Sequence, residues 1–229
     1  MRQLLLDIAG HRKHDFATFV TGRNAELLAL LQQMAVAAPD KLDQRFIYLW
    51  GEAGSGKTHL LHALAQAAGS ARLLSRASTR REFDYQAGVQ FWLVDDCQRL
   101  TAVQQLATFT LFNQVREHGG AMLSTGDAAP AALRLREDLR TRLAWGLVYH
   151  VHGLTDEEKQ AALERAAQAR GFHLAPGVLP WLITHYRRDM TSLSALLDAL
   201  DRYSLETKRP VTLPLLKQLL ESGVMTEAK

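Results

Sequence analysis

FIYLWGEAGSGKTHLL, residues 46–61, decides the fold of this chain. An apolar, aromatic run typical of a β-strand ends at Gly51, and an alanine- and leucine-rich helical pattern begins at Thr58. Between them lies G-x-x-x-x-G-K-T, the P-loop pattern, whose glycines let backbone N–H groups converge on phosphate oxygens. Because the following helix adds its N-terminal dipole, the sequence predicts a nucleotide site rather than an ordinary glycine-rich turn.

The positions of this loop have separate expected roles. Lys57 is expected to reach the β- and γ-phosphates as a point charge, and Thr58 to place its hydroxyl on Mg²⁺. The predicted nucleotide-binding set is the loop and the residue that follows it: Gly51, Glu52, Ala53, Gly54, Ser55, Gly56, Lys57, Thr58 and His59.

A Walker B arrangement lies further along the chain. Residues 89–94 form a nearly continuous apolar run of the kind found in buried parallel strands, and Asp95-Asp96 follows it. Two adjacent carboxylates repel each other unless a cation neutralises them, and Mg²⁺ bound with a nucleotide supplies that cation. We therefore assign Asp95 to the metal shell and Asp96 to polarising the attacking water, against the alternative of a plain solvated turn.

Composition and charge set broad limits on function. The 229 residues are 47% hydrophobic and 22% charged, as in an ordinary globular protein. A net charge of +3 is too small to indicate nucleic-acid binding by itself. The chain has a single cysteine, Cys97, and neither a signal-peptide pattern nor an apolar run long enough to span a bilayer. We therefore expect a cytoplasmic protein without an internal disulfide.

Strand and helix patterns alternate up to His152, and only helical patterns follow. Further strands are predicted at residues 71–74, 121–125 and 147–151, and a helix over 133–143. Capping boxes at Thr101 and Thr155 and a cap at Asp189 are expected to open helices, and Trp92 and Trp145 to pack inside. This layout predicts an α/β fold: an AAA+ P-loop module with a five-stranded parallel sheet flanked by helices, followed by a small all-α lid. The predicted boundaries are 1–10 for an N-terminal tail, 11–152 for the nucleotide-binding domain and 153–229 for the lid.

Several stretches resemble the replication initiator DnaA and its close relatives. Residues 56–63 resemble their P-loop continuation, and residues 93–98 resemble their Walker B segment, with aspartate where most AAA+ proteins have glutamate. Residues 139–147 resemble their arginine-finger box. Near the N-terminus, Phe19 and Asn24 match the segment that borders the adenine pocket, so the resemblance implies that both contact the nucleotide.

Within this group the chain is most similar to the Hda type, DnaA-homologous regulators that act with the DNA-loaded sliding clamp. It ends just after the lid, and residues 75–88 leave little room for the helical insertion that the initiator uses on single-stranded DNA. The Hda family carries a clamp-binding Q-L-x-L-x-L motif at its N-terminus, and QLLLDI at residues 3–8 matches it. Taken alone, this segment also fits an edge strand or a frayed tail. The resemblance implies a clamp-binding set: Gln3, Leu4, Leu6 and Ile8.

This resemblance implies a negative regulator of chromosomal replication initiation. Such a protein docks on the clamp, engages ATP-bound DnaA and promotes hydrolysis there, leaving the ADP form that cannot initiate. Arg142 is the arginine-finger candidate, acting in trans on the partner's nucleotide, and Arg140 is the alternative finger. The interpretation without a catalytic role is that Arg142 is a surface arginine on a basic helix face. DNA is contacted only indirectly and no membrane is involved, while a homodimer or homo-oligomer is left open.

Two sensor positions bear on the chain's own ATP hydrolysis. The family places its sensor 2 arginine where this chain has Thr191, and the arginines at 187–188 are almost a full helical turn away. Sensor 1 is assigned to Thr125, with Ser124 and Asp127 as alternatives. We therefore expect ATP or ADP with Mg²⁺ as cofactors and at most weak intrinsic ATPase activity.

The main alternative to a regulator of replication initiation is a DnaA/DnaC-like helicase loader or another ATP-driven replication machine. The arginine-finger box and the three-helix lid argue against a small-molecule kinase. His59 and His62 have a spacing that suits a metal, but a third and fourth ligand are missing nearby, so the sequence does not favour a zinc site.

Overall fold

The computed structural model describes residues 14–37, 44–186 and 189–221. These residues form two compact units. The first holds the residues up to Gly51 together with Gly56–Val151, and the second holds Glu52–Ser55 together with the residues from His152 onward. The middle of the P-loop therefore groups with the second unit.

The first unit is a three-layer α/β domain. Its strands are β1 (Phe46–Trp50), β2 (Ala71–Leu74), β3 (Phe91–Val94), β4 (Ala121–Gly126) and β5 (Leu147–His150). Its helices are α1 (Ala25–Val36), α2 (Lys57–Ala68), α3 (Ala102–His118) and α4 (Glu137–Leu143). All strands pair in parallel, in the order β2-β3-β4-β1-β5, which confirms the predicted five-stranded sheet.

The two faces of the sheet bury different cores. Successive side chains of a strand point to opposite faces. Phe46 and Tyr48 of β1 pack with α3 and α4, whereas Ile47 and Leu49 pack with α1 and α2. Because the carboxyl ends of parallel strands meet at one edge, the turn after β1, Asp95 after β3 and the end of β4 are brought together.

The second unit is helical, as predicted for the lid. Its helices are α5 (Asp156–Ala169), α6 (Val178–His185), α7 (Met190–Thr207) and α8 (Leu213–Glu221), packed around one apolar core. The expected caps are present, since the Thr155 side chain accepts from the N–H of Glu158 and Asp189 accepts from the N–H of Ser192. Over the described ranges, no helix is both long and apolar enough to cross a bilayer.

The helix predicted over residues 133–143 is wrong at its N-terminal end, because α4 begins only at Glu137. Arg136 has extended backbone (φ −53°, ψ 138°), and its N–H donates to Oε1 of Gln105 at 3.1 Å. Leu133 is nevertheless buried in the core. The leucine periodicity was misleading because residues of an irregular segment face the same core as the helix that follows.

Candidate nucleotide-binding site and arginine-finger helix

The P-loop contains two glycines in the left-handed region, Gly54 with φ 78° and Gly56 with φ 101°. Residues with a side chain rarely adopt this conformation. Space is also restricted, because a Cβ on Gly56 would lie 2.7 Å from Cε2 of Phe19. Within the second unit, a Cβ on Gly54 would lie 3.1 Å from the Cβ of Asp189. Both conformation and packing therefore require glycine at these two positions.

Two polar side chains of the loop are buried where a phosphate is expected. Lys57 is 7% exposed, and its Nζ donates to the carbonyl oxygen of Gly51 at 2.8 Å. Burial lowers the pKa of Lys57, and the carboxylates of Asp96 and Asp95 act in the opposite direction. Ser55 Oγ is buried and has no hydrogen-bond partner among the described residues. An anion held by the loop would accept from Ser55 and offset the desolvation of Lys57.

The predicted metal-binding residues converge. Thr58 Oγ1 donates to Oδ2 of Asp95 at 2.9 Å, and Thr125 Oγ1 donates to Oδ1 of Asp95 at 2.6 Å. Thr125 is fully buried and also accepts from the N–H of Asp96 at 2.9 Å. A carboxylate beside a hydroxyl is an oxygen-ligand set that suits Mg²⁺, so Thr58 and Asp95 fit the ion that the P-loop implies. The structure places Thr125 behind Asp95, as the group that orients its carboxylate.

Asp96 has neighbours that the sequence reasoning missed. Its φ of 50° is one of two positive values at non-glycine positions in the described residues. Its Oδ1 accepts from Nε2 of Gln98 at 3.2 Å, and its Oδ2 lies 3.5 Å from Nε of Arg99. Both oxygens of the carboxylate expected to polarise water are thus engaged within its own turn. The only sequence signal for these contacts was that Gln98 and Arg99 follow Asp96 by two and three residues.

Of the two residues expected around the adenine, Phe19 lies beside the loop. Phe19 packs over Gly56, and its ring centroid is 5.5 Å from that of His59. Nε2 of His59 is 2.9 Å from the carbonyl oxygen of Asp15. Asn24 is 4% exposed, directly before α1. Phe19 and His59 therefore form one wall next to the start of α2, and Asn24 is a buried polar residue of the same unit.

Arg142 lies in the last turn of α4 and packs on two aromatic rings of α3. Its guanidinium carbon is 5.6 Å from the ring centroid of Phe109 and 5.9 Å from that of Phe112. Its Nε is buried and has no hydrogen-bond partner in the described part of the chain. By contrast, Arg136 pairs with Asp138 at 2.7 Å. The aromatic faces therefore hold Arg142, through a contact between α3 and α4 that no local sequence pattern indicated.

Family models match both units. Residues 156–220 match the model of the Hda lid domain, and residues 11–78 match that of the bacterial DnaA ATPase domain. An uncharacterized protein of Haemophilus influenzae is 36% identical in a 205-residue alignment that covers 84% of this chain and 88% of that protein. The chain belongs to the Hda-type family of DnaA-homologous AAA+ proteins.

Solved structures share the fold of this Hda-type chain. Domain III of the replication initiation protein DnaA from Thermotoga maritima has a TM-score of 0.72 at 19% identity, over 93% of this chain and 98% of that one. AMPPCP-bound DnaA from Aquifex aeolicus has a TM-score of 0.65 at 20% identity, over 86% of this chain and 68% of that one. The predicted AAA+ architecture is therefore confirmed.

Some predicted positions of the Hda-type pattern lie outside the described residues. These are the clamp-binding set of Gln3, Leu4, Leu6 and Ile8, and the arginines at 187–188. The side chain of Thr191 is likewise not described. Clamp binding and the sensor 2 substitution therefore stay predictions.

Trp145 corrects one expectation, because it does not pack inside. Its side chain is 56% exposed, whereas Trp92 is fully buried as predicted. The Trp145 ring centroid is 5.7 Å from that of Phe46 and 5.9 Å from that of Phe112. One edge of the ring therefore contacts the core aromatics and the rest faces solvent.

Proposed function

We propose that this Hda-type protein is a negative regulator of replication initiation that binds adenine nucleotide and stimulates ATP hydrolysis by DnaA. Its own P-loop takes ATP or ADP with Mg²⁺. Three observations support binding: the buried Lys57, the Thr58–Asp95 pair at 2.9 Å and the buried Ser55 hydroxyl, which has no partner among the described residues. DnaA from Aquifex aeolicus, which shares the fold, is bound to AMPPCP, and this supports adenine as the base.

The observation that carries the proposal is the set of contacts that the Asp96 carboxylate makes with Gln98 and Arg99. A carboxylate that polarises attacking water needs an oxygen lone pair directed at that water, and each oxygen of Asp96 already has one neighbour, Gln98 or Arg99. The predicted phosphate and metal ligands of the first unit thus lie together, while the carboxylate expected to polarise water also contacts its own turn. This combination supports a protein whose nucleotide sets its conformation and whose own ATPase activity is weak at most.

The chemistry is then exerted on the partner's nucleotide by Arg142. An arginine finger stabilises charge in the phosphoryl-transfer transition state and contributes about 10³–10⁵ in rate. Packing on Phe109 and Phe112 supports this role, because a side chain held on rigid rings loses less entropy when it meets a phosphate.

The remaining parts of the proposal concern assembly. Residues 1–10 dock on the sliding clamp, the β subunit of DNA polymerase III, through Gln3 and the apolar residues after it. Residues 11–152 form the nucleotide domain and residues 153–229 the lid. DnaA is the partner, in accord with the two family models that match the chain.

Reconstitution tests the proposal. DnaA carrying radiolabelled ATP is mixed with DNA-loaded clamp and this protein, and the fraction converted to ADP is followed. Arg142→Ala is expected to abolish the stimulated rate, whereas Arg134→Ala, at an exposed arginine before α4, is the matched control and keeps it. Arg140→Ala tests the alternative finger. Gln3→Ala is expected to remove the stimulation that depends on the clamp.

The outcomes separate the competing functions. Full stimulation by Arg142→Ala would exclude the finger mechanism. Hydrolysis by this chain alone that rises several-fold with single-stranded DNA would favour the helicase-loader alternative instead.

A further inference from the structure

Trp145 is a large aromatic residue at the protein surface. It is 56% exposed, and the guanidinium carbon of Arg116 lies 5.6 Å from its ring centroid. The residue after it, Gly146, packs against β1 so closely that a Cβ there would overlap the carbonyl oxygen of Phe46. The backbone next to the ring is therefore closely packed on β1.

Trp145 is coupled to Arg142 through two contacts. The N–H of Trp145 donates to the carbonyl oxygen of Arg142 at 3.1 Å. In addition, the Trp145 ring and the Arg142 guanidinium each lie 5.9 Å from the ring centroid of Phe112. Trp145 and Arg142 therefore lie close together, at the end of α4.

The residues around the Trp145 ring indicate which kind of partner surface suits it. Val148 of β5 pairs with Tyr48 of β1 in the sheet and is 40% exposed. Arg116 adds a positive charge over the Trp145 ring, and Glu117 is the exposed acidic neighbour in the sequence. An exposed aromatic ring that carries a cation is complementary to an apolar pocket with acidic groups at its rim. Exposed tryptophan beside arginine is also the composition of interface residues that contribute most to binding.

We propose that Trp145 is the anchor by which this chain recognises the nucleotide-holding domain of its partner. The ring occupies an apolar pocket of that domain, and Arg116 faces acidic groups at the rim. Arg142, held on the same Phe112 platform, is thereby brought to the partner's nucleotide in one register. This inference rests on the proposed function, in which the partner is ATP-bound DnaA.

The test separates affinity from maximal rate. The protein is titrated into ATP-bound DnaA with DNA-loaded clamp, and the half-saturating concentration and the maximal hydrolysis rate are fitted separately. Trp145→Ala is expected to raise the half-saturating concentration about 30-fold or more and to keep the maximal rate within about threefold. Trp145→Phe should recover most of the affinity. Leu205→Ala, at a residue 71% exposed in the second unit, is the matched control and should match wild type.

A second variant makes the test independent of any local refolding at Trp145. Arg116→Glu keeps Trp145 and reverses the charge beside its ring, so the half-saturating concentration should rise about tenfold. Circular dichroism and the affinity for Mg²⁺-ADP serve as folding controls for all variants.

The failures are distinguishable. If Trp145→Ala titrates like Leu205→Ala while Arg142→Ala is inactive, the anchor is refuted and the proposed function stands. If Arg142→Ala is fully active, both are refuted. If Trp145→Ala changes only self-association in sedimentation velocity, this surface joins two copies of the chain and the anchor is refuted.

Discussion

Replacing Thr125 by valine tests whether one buried hydroxyl holds Asp95 in place. The hydroxyl donates to Asp95 at 2.6 Å and accepts from the N–H of Asp96 at 2.9 Å, with Thr125 fully buried. Valine keeps the shape of threonine, so no cavity forms, but both hydrogen bonds are lost. A hydrogen bond to a charged group contributes about 1.5–3 kcal/mol, and a buried N–H without a partner costs about 1–3 kcal/mol.

The expected total is below the sum of these ranges. Asp95 keeps its contact with Thr58 and is only half-buried, so water replaces part of the lost interaction. We therefore expect Thr125→Val to lower the free energy of unfolding by about 2–4 kcal/mol. Thr125→Ser keeps the hydroxyl and loses one methyl group, which costs about 1 kcal/mol. Guanidinium chloride unfolding of both variants measures this difference.

The same pair of variants separates positioning from stability. If Thr125 orients the carboxylate that binds Mg²⁺, the gain in ADP affinity on adding Mg²⁺ should depend on its hydroxyl. The ratio of ADP affinity in Mg²⁺ to ADP affinity in EDTA should be about tenfold smaller for Thr125→Val than for Thr125→Ser. Calorimetric titrations with ADP in Mg²⁺ and in EDTA measure that gain. Equal gains and equal unfolding midpoints for the two variants would refute the reasoning. A normal gain with impaired ATP hydrolysis would instead support the sensor 1 assignment of Thr125.

Three shorter predictions concern other contacts. Gly126→Ala should lower the free energy of unfolding by about 1–3 kcal/mol, because the new Cβ would overlap the Tyr48 hydroxyl. That hydroxyl donates to the carbonyl oxygen of Ala128. An unchanged midpoint in denaturant unfolding would contradict this. Burial raises the pKa of Cys97 to about 12, so iodoacetamide at pH 8 should label it only after unfolding. Because the folded-state pKa is the higher one, the stability that the neutral thiol contributes is complete below pH about 8.5 and is lost as the pH rises towards 12. Lys57→Ala should abolish the rise in melting temperature that saturating Mg²⁺-ADP gives wild type, and an equal rise in both would exclude binding by this lysine.

The fold was predictable where the signals are local. The P-loop spacing, the apolar run before Asp95 and the capping boxes at Thr101 and Thr155 each depend on residues within a few positions of one another. Such patterns specify backbone conformation directly, and alternating strands and helices then leave a parallel sheet as the compact solution. The predicted sheet and helical lid are confirmed for this reason.

Contacts between distant side chains were not predictable in the same way. The packing of Arg142 on Phe109 depends on residues far apart in sequence, and Trp145 has the composition of a core residue but lies past the end of α4. Asp96 shows a different limit. Its partners are only two and three residues away, but contact with them requires a positive φ that no sequence pattern indicates for aspartate.

Strand β1 connects the two parts of the candidate machinery within the first unit. Its carboxyl end leads into the P-loop, where burial lowers the pKa of Lys57 and so makes the nucleotide-free loop costly. Its amino end carries Phe46, whose ring centroid is 4.2 Å from that of Phe112, the ring shared by Arg142 and Trp145. A ligand that binds only the folded unit raises the free energy of unfolding of that unit. Nucleotide bound at Lys57 should therefore also protect the fold around Phe112 and the finger candidate Arg142 against unfolding, without any hydrolysis in the site that binds it.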